Sequence, residues 1–456
     1  MRTEDFHLIK KDLNALFHYP TLTLIEINDL VYEILSRLKS NETIESIALG
    51  TSLKQTDIET LMDNLSKAIP DFSLKKCSCK TDLASPSKKI GRITLHVANG
   101  CNLRCRYCYA GDGNYNLPES MMTPETASQF IDFCTSHFAK VETIVFFGGE
   151  PLLNPKIIKY ICETFEDLYK IGKINYLPAF GIITNGTIIN TEILNIVKKH
   201  IKFITVSIDG PQHLNDYNRK FKNGKGSYVK ISNFINKIKA EAPNTHLKYE
   251  ATYTAHHHQN KWSKSDVRSF LLKEFNLGGS IVPDISHQWD SKTNDIAEKE
   301  SDFPEGFFGV LRALTHKIPK GMCPIGNDIV AISTDGEIYP CHLNNGIKHL
   351  SLGNMSSENI FSSRDNFLSK FPYLKSISQT EKPCVDCWAN PICGGCPIYW
   401  FYDKENEHYS SLPKSSLCES NKKQLEEMLL LIIRLKKDNA KWTELLEQIK
   451  TADDND

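Results

Sequence analysis

Apolar and polar positions divide the chain into a short N-terminal part and a long part in which strands and helices alternate. Residues 22–27 form an extended apolar stretch. The helix predicted next places four apolar side chains on one face, namely Val31, Ile34, Leu35 and Leu38. Thr56 begins a Thr-x-x-Glu capping box that ends at Glu59, which predicts a second helix starting there. Strand followed by helices predicts a separate module over residues 1–75.

The polar stretch that follows contains Pro86 and predicts a linker over residues 76–90. Beyond it, strands are predicted at residues 93–97, 144–147, 181–184, 203–208, 247–254 and 280–283, with helices from Thr123 and Pro155 between the first of them. Repeated strand–helix units predict an α/β fold with a parallel sheet. Six such units fit a partial (β/α)6 TIM-like barrel over residues 91–310, with ligands at the strand C-termini.

Three further segments complete the predicted layout. Residues 289–304 are too charged and too rich in Asp and Ser for a core, which predicts a loop or lid. The run of three histidines at residues 256–258 is interpreted as a solvated turn. The apolar helix over residues 425–435 is expected to dock on the body, within a C-terminal helix and tail at residues 426–456.

Length and charge narrow the class of protein. With 456 residues the chain is too long for one ordinary core and predicts about three domains. The 54 basic and 55 acidic residues nearly balance, so composition gives no case for binding nucleic acid or an acidic membrane. The N-terminus lacks an export signal, and no apolar run approaches 18 residues, so a soluble cytoplasmic protein is expected.

The chain contains 14 cysteines, and this number calls for an explanation. In a long chain expected inside the cell, clustered cysteines indicate metal ligands more than a disulfide framework. Cys134 and Cys162 occupy apolar positions of predicted helices and are interpreted as packing residues. Cys77 and Cys79 lie in the linker, where they could supply a metal ligand, trap a product, or have no role.

The most informative cysteines are Cys101, Cys105 and Cys108, spaced C-x3-C-x2-C directly after a predicted strand. Three thiolates on one tight loop can ligate three irons of a cubane cluster and leave the fourth iron open to a small molecule. Half of a zinc site and buried packing are the alternatives. Zinc sites usually use C-x2-C pairs matched elsewhere, so this spacing favours the cluster.

With Tyr107 just before its last cysteine, this spacing resembles that of the radical SAM enzymes. The resemblance implies that Cys101, Cys105 and Cys108 hold a catalytic 4Fe-4S cluster, whose open iron binds S-adenosyl-L-methionine. Tyr107 is assigned to the same cofactor site.

The run Gly148-Gly149-Glu150 follows the second strand of this region. Two glycines let a backbone approach a ligand closely, and a carboxylate at a strand end can take an ammonium group. The radical SAM resemblance implies that this run binds the amino group of S-adenosylmethionine.

The ends of the next two strands complete the expected cofactor site. The resemblance assigns Ser207 to the ribose and Arg219 to the methionine carboxylate, which a guanidinium can bind with two hydrogen bonds. Asn185 and Asp209 either contact the cofactor as well or stabilise turns.

Seven cysteines of the C-terminal third follow a second pattern. The seven cysteines and one glycine of this pattern are Cys323, Gly336, Cys341, Cys384, Cys387, Cys393, Cys396 and Cys418. The pattern resembles the SPASM extension of peptide-modifying radical SAM enzymes, with two auxiliary iron-sulfur clusters, which implies such a domain over residues 311–425. Its last spacing, Cys393-x2-Cys396, is one residue shorter than usual.

The resemblance also implies which cysteines share a cluster. The second auxiliary cluster would take Cys384, Cys387, Cys393 and Cys418. The first would take Cys323, Cys341 and Cys396, and would then be one ligand short. His342, Cys77, Cys79 or a cysteine of the substrate could fill that place.

The N-terminal pattern resembles the winged-helix leader-peptide recognition domain of such enzymes, with a structural cap as the alternative. The implied function is an oxidoreductase whose 5′-deoxyadenosyl radical takes hydrogen from a ribosomally made precursor peptide. The expected product is a cysteine sulfur-to-carbon thioether, as in sactipeptide and ranthipeptide maturases, with flavodoxin or ferredoxin as electron donor.

Three alternatives remain for the function. One is carbon–carbon crosslinking of peptide side chains, and another is oxidation of a sulfatase serine or cysteine to formylglycine. Sulfatase-maturing relatives carry an aspartate base where this chain has His342, which counts against the second. A non-catalytic iron-sulfur or zinc scaffold that presents a peptide is the third.

Overall fold

The chain divides into two compact units. The computed structural model describes residues 2–69, 89–283, 306–320, 323–326, 328–356, 384, 387–394, 397–403, 408–409 and 415–453. The first unit comprises Met1–Thr81, Phe303–Cys323 and Ser369–Asp456, and the second comprises Asp82–Asp302 and Pro324–Leu368. The two ends of the chain therefore belong to the same unit.

The strands and helices are as follows, in chain order. The strands are β1 Phe6–Lys10, β2 Asn14–His18, β3 Thr23–Ile27, β4 Lys89–Asn99, β5 Leu103–Cys105, β6 Ser120–Met121, β7 Lys140–Gly148, β8 Ala179–Thr184, β9 Ile201–Ser207, β10 Arg219–Phe221, β11 His246–Tyr253, β12 Gly279–Pro283, β13 Ile329–Ile332, β14 Glu337–Tyr339, β15 Gly353–Asn354, β16 Tyr402–Asp403 and β17 His408–Tyr409. The helices are α1 Asp29–Lys39, α2 Ile44–Thr51, α3 Gln55–Ala68, α4 Pro124–His137, α5 Pro155–Lys170, α6 Thr191–His200, α7 Gln212–Asn218, α8 Tyr228–Glu241, α9 Ala255–Gln259, α10 Lys264–Phe275, α11 Phe307–His316, α12 Pro397–Phe401, α13 Ser415–Lys436 and α14 Asn439–Asp453.

The second unit is built on one sheet with strand order β12-β11-β9-β8-β7-β4-β13-β14-β15. Strands β12 through β13 in that order pair in parallel, and β14 and β15 pair antiparallel. Helices of 10 residues or more follow β7 and β8, as the short apolar runs separated by amphipathic segments predicted. The predicted α/β class with a parallel central sheet is confirmed.

The two faces of this sheet have different side chains. On one face, the ring of Phe146 stacks on Phe180, and Phe165 of α5 packs edge-on against Phe180. The next residue, Phe147, points to the other face, where its ring meets the rings of His96 and His342. Because side chains alternate along a strand, the second face carries the polar and aromatic groups of the site.

The first unit begins with the antiparallel sheet β1-β2-β3. One face of this sheet packs on α1 and α3 through Phe6, Leu16 and Leu35. The other face shares a core with α11, α13 and α14, whose buried members include Phe17, Leu22, Phe307, Leu429 and Ile432. The predicted docking of the C-terminal helix is therefore confirmed, and its partner is the N-terminal sheet.

Two local predictions were wrong. Helix α3 begins at Gln55 rather than at Thr56, because the Lys54 amide donates to the Asp57 carboxylate at 3.2 Å and so fixes the first turn earlier. The three histidines form the short helix α9 instead of a solvated turn. His257 is fully buried there, and its Nε2 lies 2.8 Å from the Asp209 carbonyl oxygen.

Two simpler expectations hold. The thiols of Cys134 and Cys162 are fully buried on α4 and α5, as expected for packing residues. None of the helices among the described residues is long and apolar enough to cross a membrane. The predicted linker and lid, at residues 76–90 and 289–304, fall almost wholly outside the described residues.

Candidate active site

The cysteine loop follows β4 and is held by a short ribbon. Strand β5 ends at Cys105 and pairs antiparallel with β10, so that Cys105 lies directly opposite Arg219. The Cys108 amide donates to the Cys105 carbonyl at 3.2 Å, which closes a tight turn between them. Gly113 packs on the Cβ of Cys101 with φ +85°. These contacts gather the three predicted cluster ligands on one loop.

Burial controls the chemistry of these thiols. It raises the pKa of Cys101 to about 12 and that of Cys105 to about 11, with neighbouring Glu150 adding to the rise at Cys101. Burial also raises the pKa of Cys108. Such thiols form thiolates only beside a strong positive charge, which iron would supply. Among the described residues, no group of three or more His, Cys, Asp and Glu side chains could hold a single metal ion as placed.

Gly148 ends β7 and Gly149 follows it, and both have a packing role, while their approach to the cofactor stays a prediction. Gly148 has φ +130°, and a Cβ there would collide with the Ala98 carbonyl oxygen. A Cβ on Gly149 would collide with the carbonyl oxygens of Gly100 and Gly113. The glycines therefore let the end of β7 lie against β4 and the cysteine loop, which requires glycine whether or not a ligand approaches.

Glu150 is a fully buried carboxylate at the same strand end. Its Oε1 accepts hydrogen bonds from the Leu152 amide at 2.9 Å and the Thr184 hydroxyl at 2.7 Å. Its Oε2 accepts from the Asn185 amide at 2.7 Å. Burial raises the pKa of Glu150, and these three donors oppose the rise. A carboxylate has room for about four donors, so one place remains for a cationic group such as an ammonium.

Asn185 connects β8 to the cysteine loop. Its Nδ2 donates to Asn102 Oδ1 at 2.8 Å and lies 3.5 Å from the Cys101 sulfur. Its Oδ1 accepts from the amide and the hydroxyl of Thr187, at 3.0 and 2.6 Å. The structure therefore shows that Asn185 stabilises this turn and contacts Cys101, a predicted cluster ligand, while a contact of Asn185 with the cofactor stays a prediction.

Arg219, Tyr107 and Asp209 form one buried group. An Arg219 Nη donates to the Tyr107 hydroxyl, and the guanidinium lies 3.6 Å from Asp209. The Tyr107 hydroxyl donates to Asp209 at 2.7 Å, and the Thr252 amide donates to the same carboxylate at 3.0 Å. Arg219 Nε is buried without a partner among the described residues, so one donor of the guanidinium is available to an anion such as a carboxylate.

Ser207 ends β9 half-buried and lies in register opposite Glu250 on β11. The structure records no side-chain hydrogen bond for Ser207 among the described residues, which leaves its hydroxyl open to the expected ribose. Glu250 was missed from the sequence. Its alternation with buried Tyr249 and Ala251 was the signal that it faces the site.

An aromatic group joins the cysteine loop to Cys341 within the second unit. Tyr109 follows Cys108, and its ring lies 6.4 Å from that of His342. His342 Nδ1 is 3.4 Å from the Cys341 sulfur. Burial lowers the pKa of His342 to about 4, with Arg92 contributing, so the ring is neutral at pH 7. Tyr109, in the turn after Cys108, and His96, on β4, also escaped sequence analysis, because a single aromatic residue or histidine usually signals only packing.

The cysteines predicted for the second auxiliary cluster lie together in the first unit. Burial raises the pKa of Cys393 to about 12, and the nearby thiols of Cys387, Cys418 and Cys384 add to the rise. Asn421 Nδ2 lies 3.4 Å from the Cys393 sulfur. Like Asn185 beside Cys101, it is a side-chain donor next to a predicted cluster ligand.

The predicted ligands of the first auxiliary cluster are divided. Cys323 belongs to the first unit and Cys341 to the second. Cys396, like Cys77 and Cys79, lies outside the described residues.

Comparison with known proteins identifies the central segment. Residues 95–267 match the sequence model of the radical SAM superfamily. The cysteine-type anaerobic sulfatase-maturating enzyme of Clostridium novyi (strain NT) is 25% identical over 360 residues, covering 74% of this chain and 94% of that protein. The antilisterial bacteriocin subtilosin biosynthesis protein AlbA of Bacillus subtilis (strain 168) is 25% identical over 368 residues, covering 74% and 73%.

The match is partial for other relatives and extends to solved structures. Three other curated relatives, at 27–38% identity, are matched over only 44%, 48% and 39% of their own length. The solved structure of native anSMEcpe with bound AdoMet matches with a TM-score of 0.56 and 19% identity, over 76% of this chain and all of that chain. That likeness shows a shared fold.

Proposed function

We propose, on the premise that this chain is a radical SAM enzyme, that it modifies a ribosomally made precursor peptide by joining a cysteine sulfur to a carbon. Enzymes of this superfamily use S-adenosylmethionine and a 4Fe-4S cluster. When bound, the cluster would supply one electron for cleavage of a carbon–sulfur bond of S-adenosylmethionine, and the resulting 5′-deoxyadenosyl radical would remove hydrogen from the substrate.

The residues of the chain bind and orient the reactants. Cys101, Cys105 and Cys108 would hold the cluster, and the free acceptor place on Glu150 would take the ammonium of S-adenosylmethionine. The unpartnered Nε of Arg219 would take its carboxylate. Asp209 and Tyr107 fix the guanidinium in that position.

The shared core of the first unit is the observation that supports a peptide as the substrate. The N-terminal sheet packs on the same core as the cysteine segment Cys387 to Cys393. The ring of His7 on β1 stacks on Trp388 at 3.9 Å, with only 4° between the planes. In this sheet β3 is an edge strand, and an extended leader segment could add to it through main-chain hydrogen bonds. We propose that this sheet binds the leader.

We further propose three clusters in all, the second auxiliary one held by Cys384, Cys387, Cys393 and Cys418. The first would take Cys323, Cys341 and Cys396, leaving one position for a cysteine of the peptide. That position would hold the sulfur that enters the thioether. The thiol proton would leave on ligation, the carbon would give one hydrogen atom to the 5′-deoxyadenosyl radical, and the cluster would accept the electron released as the carbon–sulfur bond forms.

Formylglycine formation on a sulfatase is the second candidate. The match to the Clostridium novyi sulfatase-maturating enzyme supports it, since it covers 94% of that protein. His342, whose pKa is lowered to about 4 so that its ring is neutral at pH 7, occupies the position expected for an aspartate base, which favours the peptide crosslink instead.

The test is incubation of anaerobically reconstituted protein with S-adenosylmethionine, a reductant and either a cysteine-containing precursor peptide or a sulfatase peptide. The expected product is a peptide that has lost two hydrogens and whose cysteine no longer reacts with an alkylating agent. A crosslinked product whose cysteines all remain alkylatable would show a carbon–carbon bond, and an aldehyde in the sulfatase peptide would show the second candidate. The matched control replaces Cys101, Cys105 and Cys108 with alanine.

A further inference from the structure

The ribbon that holds the cysteine loop carries a group of cations on its outer side. Arg104 of β5 lies directly opposite Lys220 of β10. The Arg106 guanidinium lies over the Tyr217 ring at 4.3 Å, and the Lys220 ammonium lies 6.0 Å from the same ring. Lys222 and Lys225 follow in the adjoining turn. We call Arg104, Arg106, Tyr217, Lys220, Lys222 and Lys225 the cationic ribbon.

The positive charge of the cationic ribbon is only partly compensated. Asp112 pairs with Arg104 at 3.0 Å, and Glu119 pairs with Lys222 at 2.7 Å. Arg106, Lys220 and Lys225 have no ion pair among the described residues. The neighbouring Asp216 is occupied by the Tyr228 amide and the Asn215 side chain.

This arrangement has an energetic cost to the fold. Like charges directly opposite in an antiparallel pair are destabilising, and Arg104 faces Lys220 in that way. The whole chain has a net charge of −1, so the local excess does not follow from a basic composition. A cost of this kind is offset when an acidic partner covers the cations.

The position of the cationic ribbon relative to the cysteine loop suggests what that partner does. Cys105 lies between Arg104 and Arg106 in the chain, and Lys220 follows Arg219, which faces Cys105 across the ribbon. Tyr217 is 38% exposed and is fixed from behind by the His256 ring, stacked at 3.5 Å. Exposed Tyr and Arg side chains are the residue types most enriched at the centres of protein interfaces.

We propose that the cationic ribbon is the docking surface for an acidic protein that carries one electron at low potential and reduces the cluster held by Cys101, Cys105 and Cys108. This inference rests on the proposed radical SAM chemistry. The carrier loses one electron and the cluster gains it. That electron then breaks the carbon–sulfur bond of S-adenosylmethionine, giving methionine and the 5′-deoxyadenosyl radical.

The experiment compares two charge-reversal variants of the reconstituted holoenzyme. Lys220→Glu/Lys225→Glu alters the cationic ribbon. Lys140→Glu/Lys202→Glu makes the same change in charge at exposed positions near the opposite, N-terminal ends of β7 and β9. Formation of 5′-deoxyadenosine is measured with dithionite, with flavodoxin kept reduced by NADPH and its reductase, and with reduced ferredoxin. Binding of oxidised flavodoxin and of ferredoxin is measured separately by calorimetry at low and physiological salt.

The first variant should lose on the order of tenfold in carrier-driven rate and in carrier affinity, with the difference shrinking as salt rises. Loss with flavodoxin, with ferredoxin or with both identifies the carrier. Its dithionite-driven rate should match that of the unaltered protein, which also shows that the variant folds. Equal carrier rates in both variants, or a loss that also appears in peptide affinity, would overturn the docking surface. Absence of 5′-deoxyadenosine from the unaltered protein with dithionite would overturn the proposed function instead.

Discussion

Replacing Glu150 with glutamine tests the proposed cofactor site at one of its two fully buried carboxylates. The glutamine has the same shape, but one of its two terminal atoms becomes an NH2 group that cannot accept a hydrogen bond. The side chain loses least if its oxygen keeps the Leu152 and Thr184 donors and its nitrogen faces the Asn185 amide. One buried N–H is then left without an acceptor.

The structure sets the size of two opposed effects on stability. An unsatisfied buried donor costs about 1–3 kcal/mol. Removal of a buried charge, whose pKa burial has raised, returns part of that cost. The melting temperature should therefore change little. Binding of S-adenosylmethionine has no such compensation, because a hydrogen bond between charged groups contributes about 1.5–3 kcal/mol. At 1.4 kcal/mol per tenfold, the affinity should fall by about 10- to 140-fold.

The assay is calorimetric binding of S-adenosylmethionine to anaerobically reconstituted protein, with melting temperatures measured in parallel. The matched control is Glu142→Gln on the same strand, whose carboxylate is exposed and pairs with Lys89 at 2.7 Å. An exposed ion pair contributes at most about 1 kcal/mol, and this one is remote from the strand end. An affinity for Glu150→Gln within about threefold of the unaltered protein, at unchanged melting temperature, would refute the assignment of Glu150 to the ammonium.

Three further outcomes are expected. Cys393→Ala should lower the iron content by about one third, as loss of one of three proposed clusters requires, whereas Cys134→Ala should leave iron unchanged. Prolines placed singly at Leu24 and Ile25 should separate leader binding from folding, since alternate amides of an edge strand face inward and outward. Both side chains pack on a core, so each proline costs some stability. The proline at the inward amide should lower the melting temperature further, and the one at the outward amide should weaken peptide affinity more; equal peptide affinity in both would contradict leader binding at β3. Burial lowers the pKa of His96 from 6.5 to about 3, so its contribution to stability is present above pH 6.5 and is lost as the pH falls toward 3. His96→Gln should remove this loss of stability at acid pH. The effect is up to about 5 kcal/mol in the free energy of unfolding, measured by chemical denaturation at several pH values.

The parallel strands could be predicted because each is a short apolar run bounded by polar segments. Strands β1 and β2 could not, and the reason lies in their surroundings. All five residues of β2 are buried, since α1 and α3 cover one face of the sheet and α13 covers the other. A strand buried on both faces loses the alternation of polar and apolar residues that identifies strands in a sequence. Its covering helix lies about 400 residues later in the chain.

Only those features of the site that depend on the spacing of residues in the sequence could be predicted. The cysteine spacings predicted three ligand sets, and the structure brings the thiols of one of them together around Cys393. The contact of Asn185 with Cys101 depends on how β8 ends beside the cysteine loop, which no local pattern records. The packing role of Gly149 could not be predicted, because the sequence does not show which backbone atoms surround it. Its neighbours are the carbonyl oxygens of Gly100 and Gly113.

The shared core of the N-terminal sheet and α13 has a consequence for synthesis of the protein. Ribosomes add about 5–20 residues per second, so α13 emerges on the order of 20–80 s after β3. During that interval the apolar side chains of Ile9, Phe17 and Leu22 lack the part of their core that α13 supplies, and before α11 emerges they have no covering helix on this face. A nascent chain in this state is a substrate for chaperones, and any product terminated before residue 415 would keep part of that surface exposed. Production of the protein should therefore depend on chaperone supply and improve when translation and growth are slowed together.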